Sequence, residues 1–250
     1  MKIIIVRHAE PDYAVDELTG KGVLEAQMLA SRLMTMDVDD IYSSPFGRAQ
    51  ATAKPYSQKV CKNVQILDWL SEFQGVAEDS KSKMMIMPWD LKPEYWQKDK
   101  DLYNLQAWAD SKTMSGGTIK EKYYWVTSGL DELLKKYGYI RSKDENKPLV
   151  YTCEKNQEKT IVLFCHFALG MVLISHLTGV SPTLLWQGFF MPASSMTTLV
   201  TEERQKGEVI FRTVQVGDTS HLYKNNEPIS KMGLFPETFT EDKKDYGSKC

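Results

Sequence analysis

Lys2-Ile3-Ile4-Ile5-Val6 runs directly into Arg7-His8-Ala9-Glu10 near the start of the chain. Ile3 to Val6 are four consecutive β-branched residues with no polar alternation. That is the pattern of a strand buried on both faces, as parallel sheets with helices on either side require. An arginine and a histidine then stand at the strand's carboxyl end. A second run of this kind, Thr160-Ile161-Val162-Leu163-Phe164-Cys165, ends the same way, on His166. In open α/β sheets, binding sites form beyond the carboxyl ends of strands. The two histidines are therefore expected to converge at one sheet edge.

The segments between and around these strands read as alternating helix and strand. Val23, Ala26, Leu29, Ala30 and Leu33 give a helical stripe over Thr19 to about Met34. Asp40 to Ser43 is a second strand and Val64 to Leu67 a third. A helix begins near Ser44-Pro45, with Pro55 expected to kink or end it. Thr118 and Glu121 form a capping-box pattern ahead of the apolar face Ile119, Tyr123, Val126, Leu130, Leu133 and Tyr137, and Gly138 is placed to stop that helix. Arg141 to Lys147 is a charged loop, with a short strand at Leu149 to Cys153. A helix follows from about Ala168 to Thr178 with Gly179 as its stop, and Ser181-Pro182 opens another. Met196 to Thr201 and Glu208 to Val216 alternate as an antiparallel hairpin.

Val76 to Gly117 has no long clean period and is rich in Met, Trp, Tyr and Lys. It reads as an inserted lid or cap. The tail after Thr240 is polar and is expected to be mobile. These signals predict a three-layer α/β/α sandwich with a mainly parallel sheet, in one domain over 1–250.

Composition narrows the functional classes. Lys and Arg number 31 against 33 Asp and Glu, a net charge of −2. That balance offers no overall attraction for nucleic acid or for an acidic membrane. No apolar run approaches the ~20 residues that span a bilayer. The four cysteines, Cys61, Cys153, Cys165 and Cys250, form no C-x-x-C pair, so reduced thiols in a cytoplasm are expected, with no metal site and no cofactor. A cationic pocket must be built locally. Arg7 adjoins His8, and Arg48 lies in the first turn after the second strand. Guanidinium groups match phosphate oxygens in bidentate geometry. An imidazole with its second nitrogen held can attack phosphorus, and a neutral carboxylic acid, Glu72 or Glu10, can protonate a leaving alkoxide.

Arg7-His8-Ala9-Glu10 resembles the Arg-His-Gly motif of the histidine phosphatase superfamily, which includes the phosphoglycerate mutases. Ser43-Ser44-Pro45-Phe46-Gly47-Arg48-Ala49-Gln50-Ala51-Thr52-Ala53 is similar to that family's Ser-Ser-Pro, Arg-Ala and Thr-Ala segment. Leu18-Thr19 with Gly22 and Ala26 resembles its first helix entry, and Phe164 to Ala168 stands where the family carries its second histidine. The matches run in order from residue 3 to about 200. The resemblance implies His8 as the phosphorylated nucleophile and Glu72 as the proton donor. It places Arg7, Arg48, His166 and the backbone N–H of Phe167 on the phosphoryl oxygens. It implies a metal-independent enzyme acting on a small phosphorylated metabolite. Hydrolysis of a phosphate monoester is the first reading, a phosphoglycerate-type mutase the second and a non-catalytic phosphoester-binding scaffold the third. Three positions depart from the pattern: Ala9 for Gly, Ala14 for a phosphate-contacting Asn, and Phe167-Ala168 for Gly-Gly. Ala9 bears on backbone freedom, whereas Ala14 and Phe167-Ala168 bear on the substrate side of the pocket. His176 is read as a core or helix-end residue, and His221 is given no catalytic role. The aromatic-rich insertion is open to either role, lid or interface, which keeps a homo-oligomer among the alternatives.

Overall fold

A computed structural model describes residues 1–78 and 83–233; the polar tail after Thr240 lies outside the described residues. In chain order come β1 (Lys2–Arg7), β2 (Pro11–Asp12), β3 (Glu17–Leu18), α1 (Gly20–Leu33), β4 (Asp40–Ser43), α2 (Gly47–Val60) and β5 (Val64–Ile66). β6 (Ala77–Glu78), β7 (Met85–Ile86), the one-turn α3 (Pro93–Trp96) and α4 (Ile119–Lys136) follow. The chain continues through β8 (Ile140–Arg141), β9 (Tyr151–Thr152), β10 (Thr160–Cys165), α5 (Phe167–Thr178) and α6 (Pro182–Gly188). It then runs through β11 (Met196–Gln205), β12 (Glu208–Asp218) and α7 (Ser220–Lys224).

One eight-stranded sheet has the order β5-β4-β10-β1-β11-β12-β9-β8. β5, β4, β10 and β1 pair in parallel. The pairings from β1 through β11, β12 and β9 to β8 are antiparallel. The expectation of a mainly parallel sheet thus holds for the half that carries both histidines. The other half is built from hairpins, whose short connections only antiparallel strands allow.

The unbroken apolar runs explain the three layers. Ile3 and Ile5 of β1, with Ile161, Leu163 and Cys165 of β10, belong to a core shared with α4 and α5. Ile4 and Val6, with Val162 and Phe164, belong to a second core with Leu29, Ala30 and Leu33 of α1 and Ala53 and Tyr56 of α2. Successive side chains point to opposite faces, so each strand feeds two cores at once. Each fully buried aliphatic side chain contributes roughly 1.5–3 kcal/mol to holding these layers together.

Four local expectations change. α2 runs through Pro55 and ends only at Cys61, whose φ is 52°. Buried Ala53 and Tyr56 anchor it on either side of the proline, which offsets the lost backbone hydrogen bond. The Thr118 side chain does not cap its own helix; its hydroxyl accepts from Val76 N at 3.4 Å, tying the start of the insertion to α4. The charged loop after α4 begins as edge strand β8, paired with the two-residue β9. The hairpin strands also run further than the alternation suggested, turning only at Lys206-Gly207, where Gly207 has φ 79°.

Much of the insertion packs into the α4–α5 core. Leu91, Leu102, Trp108 and Met114 are buried there. Trp108 meets Tyr123 at 5.0 Å and Trp186 at 5.6 Å between ring centroids, both edge to face. Among the described residues, no helix is long and apolar enough to cross a membrane.

Candidate active site

The parallel pairing brings the two histidines together. β1 and β10 are in register with Arg7 opposite Cys165, so His8 and His166 both leave the sheet at its carboxyl edge. His8 N donates to Cys165 O at 2.9 Å, and Ser44 N, just past β4, donates to Phe164 O at 2.9 Å. The imidazole centroids are 5.2 Å apart. Both rings are buried, at 2% and 0% exposure.

Each ring is held by a different partner. His8 Nδ1 lies 2.8 Å from Ala9 O. A carbonyl only accepts, so Nδ1 carries the proton and Nε2 keeps a free lone pair. His166 Nε2 lies 2.8 Å from Ser44 Oγ. Ala9 N donates to Thr52 Oγ1 at 2.9 Å, and that hydroxyl donates to Arg48 O at 2.7 Å, which ties the His8 turn to α2. Burial, reinforced by Arg7 and Arg48 and opposed by the Ala9 hydrogen bond, takes the His8 pKa down to about 3. His166 is pushed well below the ordinary histidine value, by burial first and then by His8, Arg48 and Arg7. Both rings are neutral in the physiological range.

Arg7 Nη1 donates to Met191 O at 2.7 Å, and its guanidinium carbon lies 5.2 Å from the Phe190 ring centroid and 5.6 Å from that of Phe167. Burial lowers its pKa, against the pull of Tyr13 and Glu72. Arg48 pairs with Asp16 and lies 4.8 Å from the Phe46 ring and 5.4 Å from the Tyr13 ring. Glu72 follows β5 and a 3-10 turn. Its Oε1 accepts from Phe73 N at 2.8 Å and from Leu169 N, in the first turn of α5, at 3.0 Å. Desolvation outweighs these bonds and raises its pKa. Phe167 is the first residue of α5, with His166 as its N-cap. Among the described residues, Arg7 Nε, Arg48 Nε and His166 Nδ1 are buried without a hydrogen-bond partner. A polar atom left so costs roughly 1–3 kcal/mol, a cost an incoming anion relieves.

All six residues singled out from the sequence thus fall in one neighbourhood. Sequence reading missed three supports. One is the β2–β3 ribbon with Asp16 at its turn, beside Tyr13, which its place near Arg7-His8 already marks as a pocket-wall candidate; the ribbon's signal was the short Pro11 to Leu18 spacing between strand and helix. The second is the segment 227–233. There Ser230 Oγ hydrogen-bonds Glu10 Oε2, and Gly233 packs so near Arg7 that a Cβ would stand 2.6 Å from Nη2. The third is His221, which is buried and lies 2.9 Å from Ser194 Oγ. Ser194, at φ 58°, donates its N–H to His8 O at 3.0 Å, so this pair backs the main chain of His8. His176 instead bonds Asp131 at 3.0 Å in a cluster with Arg141 and Tyr151. An apolar cleft of about 390 Å³ between α5, α6 and β12 shares no residue with the histidine cluster.

A family model for the histidine phosphatase superfamily (branch 1) matches residues 3–137, and the chain belongs to that superfamily. A 2,3-bisphosphoglycerate-dependent phosphoglycerate mutase of Methanosarcina acetivorans is 29% identical over 167 residues, 58% of this chain and 63% of the mutase. A probable phosphatase of Schizosaccharomyces pombe is 35% identical over 65 residues, 22% of this chain and 31% of its own length. The chain therefore spans less than two thirds of either relative. Among solved structures, a phosphoserine phosphatase mutant of Entamoeba histolytica in complex with phosphoserine has a TM-score of 0.57 at 21% identity, covering 88% of this chain and 98% of that one. A mycobacterial glucosyl-3-phosphoglycerate phosphatase has a TM-score of 0.55 at 17% identity, covering 87% and 99%. These likenesses establish the fold.

Proposed function

We propose that the protein hydrolyses a phosphate monoester through a phosphohistidine on His8. The observation that carries this reading is the state of the His8 ring. It is neutral, its Nδ1–H is held by Ala9 O, and its Nε2 lone pair lies within a cluster of two arginines and a second histidine. Nε2 attacks phosphorus, an N–P bond forms and the ester P–O bond breaks. Glu72, whose pKa burial raises, gives its proton to the departing alkoxide. Water then attacks phosphorus, Glu72 takes a proton from it, and the N–P bond breaks to release phosphate. Arg7, Arg48, His166 and the Phe167 N–H bind the phosphoryl oxygens as charge builds on them. The superfamily membership supports the same chemistry.

The mutase relative supports a second reading, in which the phosphoryl group returns to another oxygen. Both readings share the first step. Incubation with a panel of phosphate monoesters, followed by assay of free phosphate and of isomerised ester, separates them. Phosphate release is expected. Isomerisation without net release would replace hydrolysis with the mutase reading, and turnover of none of the esters would overturn both.

A further inference from the structure

Arg48 is already engaged by an anion of the protein's own. Asp16 Oδ1 pairs with Arg48 Nη1, and Asp16 Oδ2 accepts from Gly47 N, the first residue of α2, at 2.7 Å. A guanidinium beside a helix N-terminus is the donor set that would otherwise take a carboxylate or a phosphate oxygen. The local backbone is shaped to keep Asp16 there. Its φ is 53°, a left-handed conformation that Asp tolerates better than most residues. Gly47 has no side chain because a Cβ would stand 2.2 Å from the Asp16 carbonyl oxygen. The turn is gripped a second time at its other end, where a Cβ on Gly22 would stand 2.1 Å from Glu10 O.

The groups around the two arginines are aromatic. Tyr13 and Phe46 lie against Arg48, Phe167 and Phe190 against Arg7, and the Tyr13 ring is 6.5 Å from that of His8. Tyr13 is 57% exposed. Arg7 and Arg48 are the cations that bear on both histidines. With Arg48 countered by Asp16, the charge left over suits one phosphoryl group. A second anionic group on the substrate would meet the Asp16 carboxylate and ring faces.

Building on the phosphatase reading, we propose that Asp16 is the specificity-determining residue of the site. It occupies Arg48 and the α2 N-terminus, so the pocket takes a monoester of an uncharged, ring-bearing alcohol and disfavours esters with a second anionic group. Asp16 acts through Arg48 and is a positioning residue, not a catalytic one. The test compares phenyl phosphate with 3-phosphoglycerate in the wild type, Asp16→Asn and Asp16→Ala. The wild type is expected to prefer phenyl phosphate. Both variants are expected to shift the kcat/KM ratio toward 3-phosphoglycerate by about tenfold, mostly through KM, as one nearby charge at partial screening implies. An equal fall for both esters would make Asp16 a mere prop for Arg48 and overturn the proposal, as would an unchanged ratio. If the wild type turns over neither ester, the ester panel above decides the phosphatase reading, and calorimetric titration with phenylphosphonate and 3-phosphoglycerate decides this proposal separately. The same tenfold shift in the Kd ratio supports it; a flat ratio, or binding of neither ligand, overturns it.

Discussion

The floor and the rim of the site are built on different principles. His8, His166 and Ser44 sit at strand ends, buried, and fixed by main-chain bonds that the parallel register itself supplies. Tyr13 and Asp16 sit on a four-residue turn, are partly or largely exposed, and reach Arg48 across the opening. Reaction type thus rests on sheet topology, which a point change on the surface does not disturb. On the proposal above, selectivity rests on a loop that tolerates alteration. Changes in the floor should cost rate on every ester, whereas changes in the rim should re-sort esters.

Four changes put that contrast to the test, in falling order of expected effect. The largest effect is expected for His8→Ala, which removes the proposed nucleophile and should lower kcat/KM about 10⁴-fold or more on all esters alike. A loss confined to one ester class would break the distinction between floor and rim. Glu72→Gln keeps the hydrogen bonds from Phe73 and Leu169 but cannot donate a proton of the same acidity. It should slow alkyl phosphates by about 10²–10⁴-fold and nitrophenyl phosphate, whose leaving group needs no proton, much less. Equal losses on both would remove Glu72 from the role of acid.

A third test reads stability. The folded state keeps His8 neutral down to about pH 3, while the unfolded chain binds a proton below about pH 6.5. Stability supplied by this group is therefore intact above pH 6.5 and is lost as the pH falls. About 2 kcal/mol should go between pH 6.5 and 5, and denaturant melts of His8→Gln should show a shallower fall over that window. Identical slopes would mean that the ring is not buried and neutral as described. The smallest effect is expected for Ser44→Ala. It removes one hydrogen bond from His166 and should lower kcat by about tenfold or less without changing ester preference.

The same contrast explains what could be read from the chain itself. Ile3 to Val6 and Thr160 to Cys165 announce strands buried on both faces because both faces are in fact covered, and the residues after them inherit a position from the strand. His8 and His166 were legible for that reason, and Arg48 and Glu72 through their place after the shorter strands β4 and β5. Asp16 was not, because nothing local marks an aspartate that bonds an arginine 32 positions later. Thr118 and Pro55 misled for the opposite reason: each carries a strong local preference that packing overrode, through Val76 in one case and through Ala53 and Tyr56 in the other. The insertion between Val76 and Gly117 had no period to read, since much of it fills space around Trp108 and Trp186 instead of forming long elements.

The proposed mechanism puts the phosphoryl group on His8 Nε2. Rapid-quench incubation with a radiolabelled monoester, followed by peptide mapping and phosphorus NMR under alkaline conditions, tests it directly. The expected result is an acid-labile, alkali-stable phosphoenzyme formed at a rate no slower than turnover, carried by residue 8 on Nε2 and absent from His8→Ala. Label on another residue, label on Nδ1, or turnover that persists in His8→Ala would contradict it.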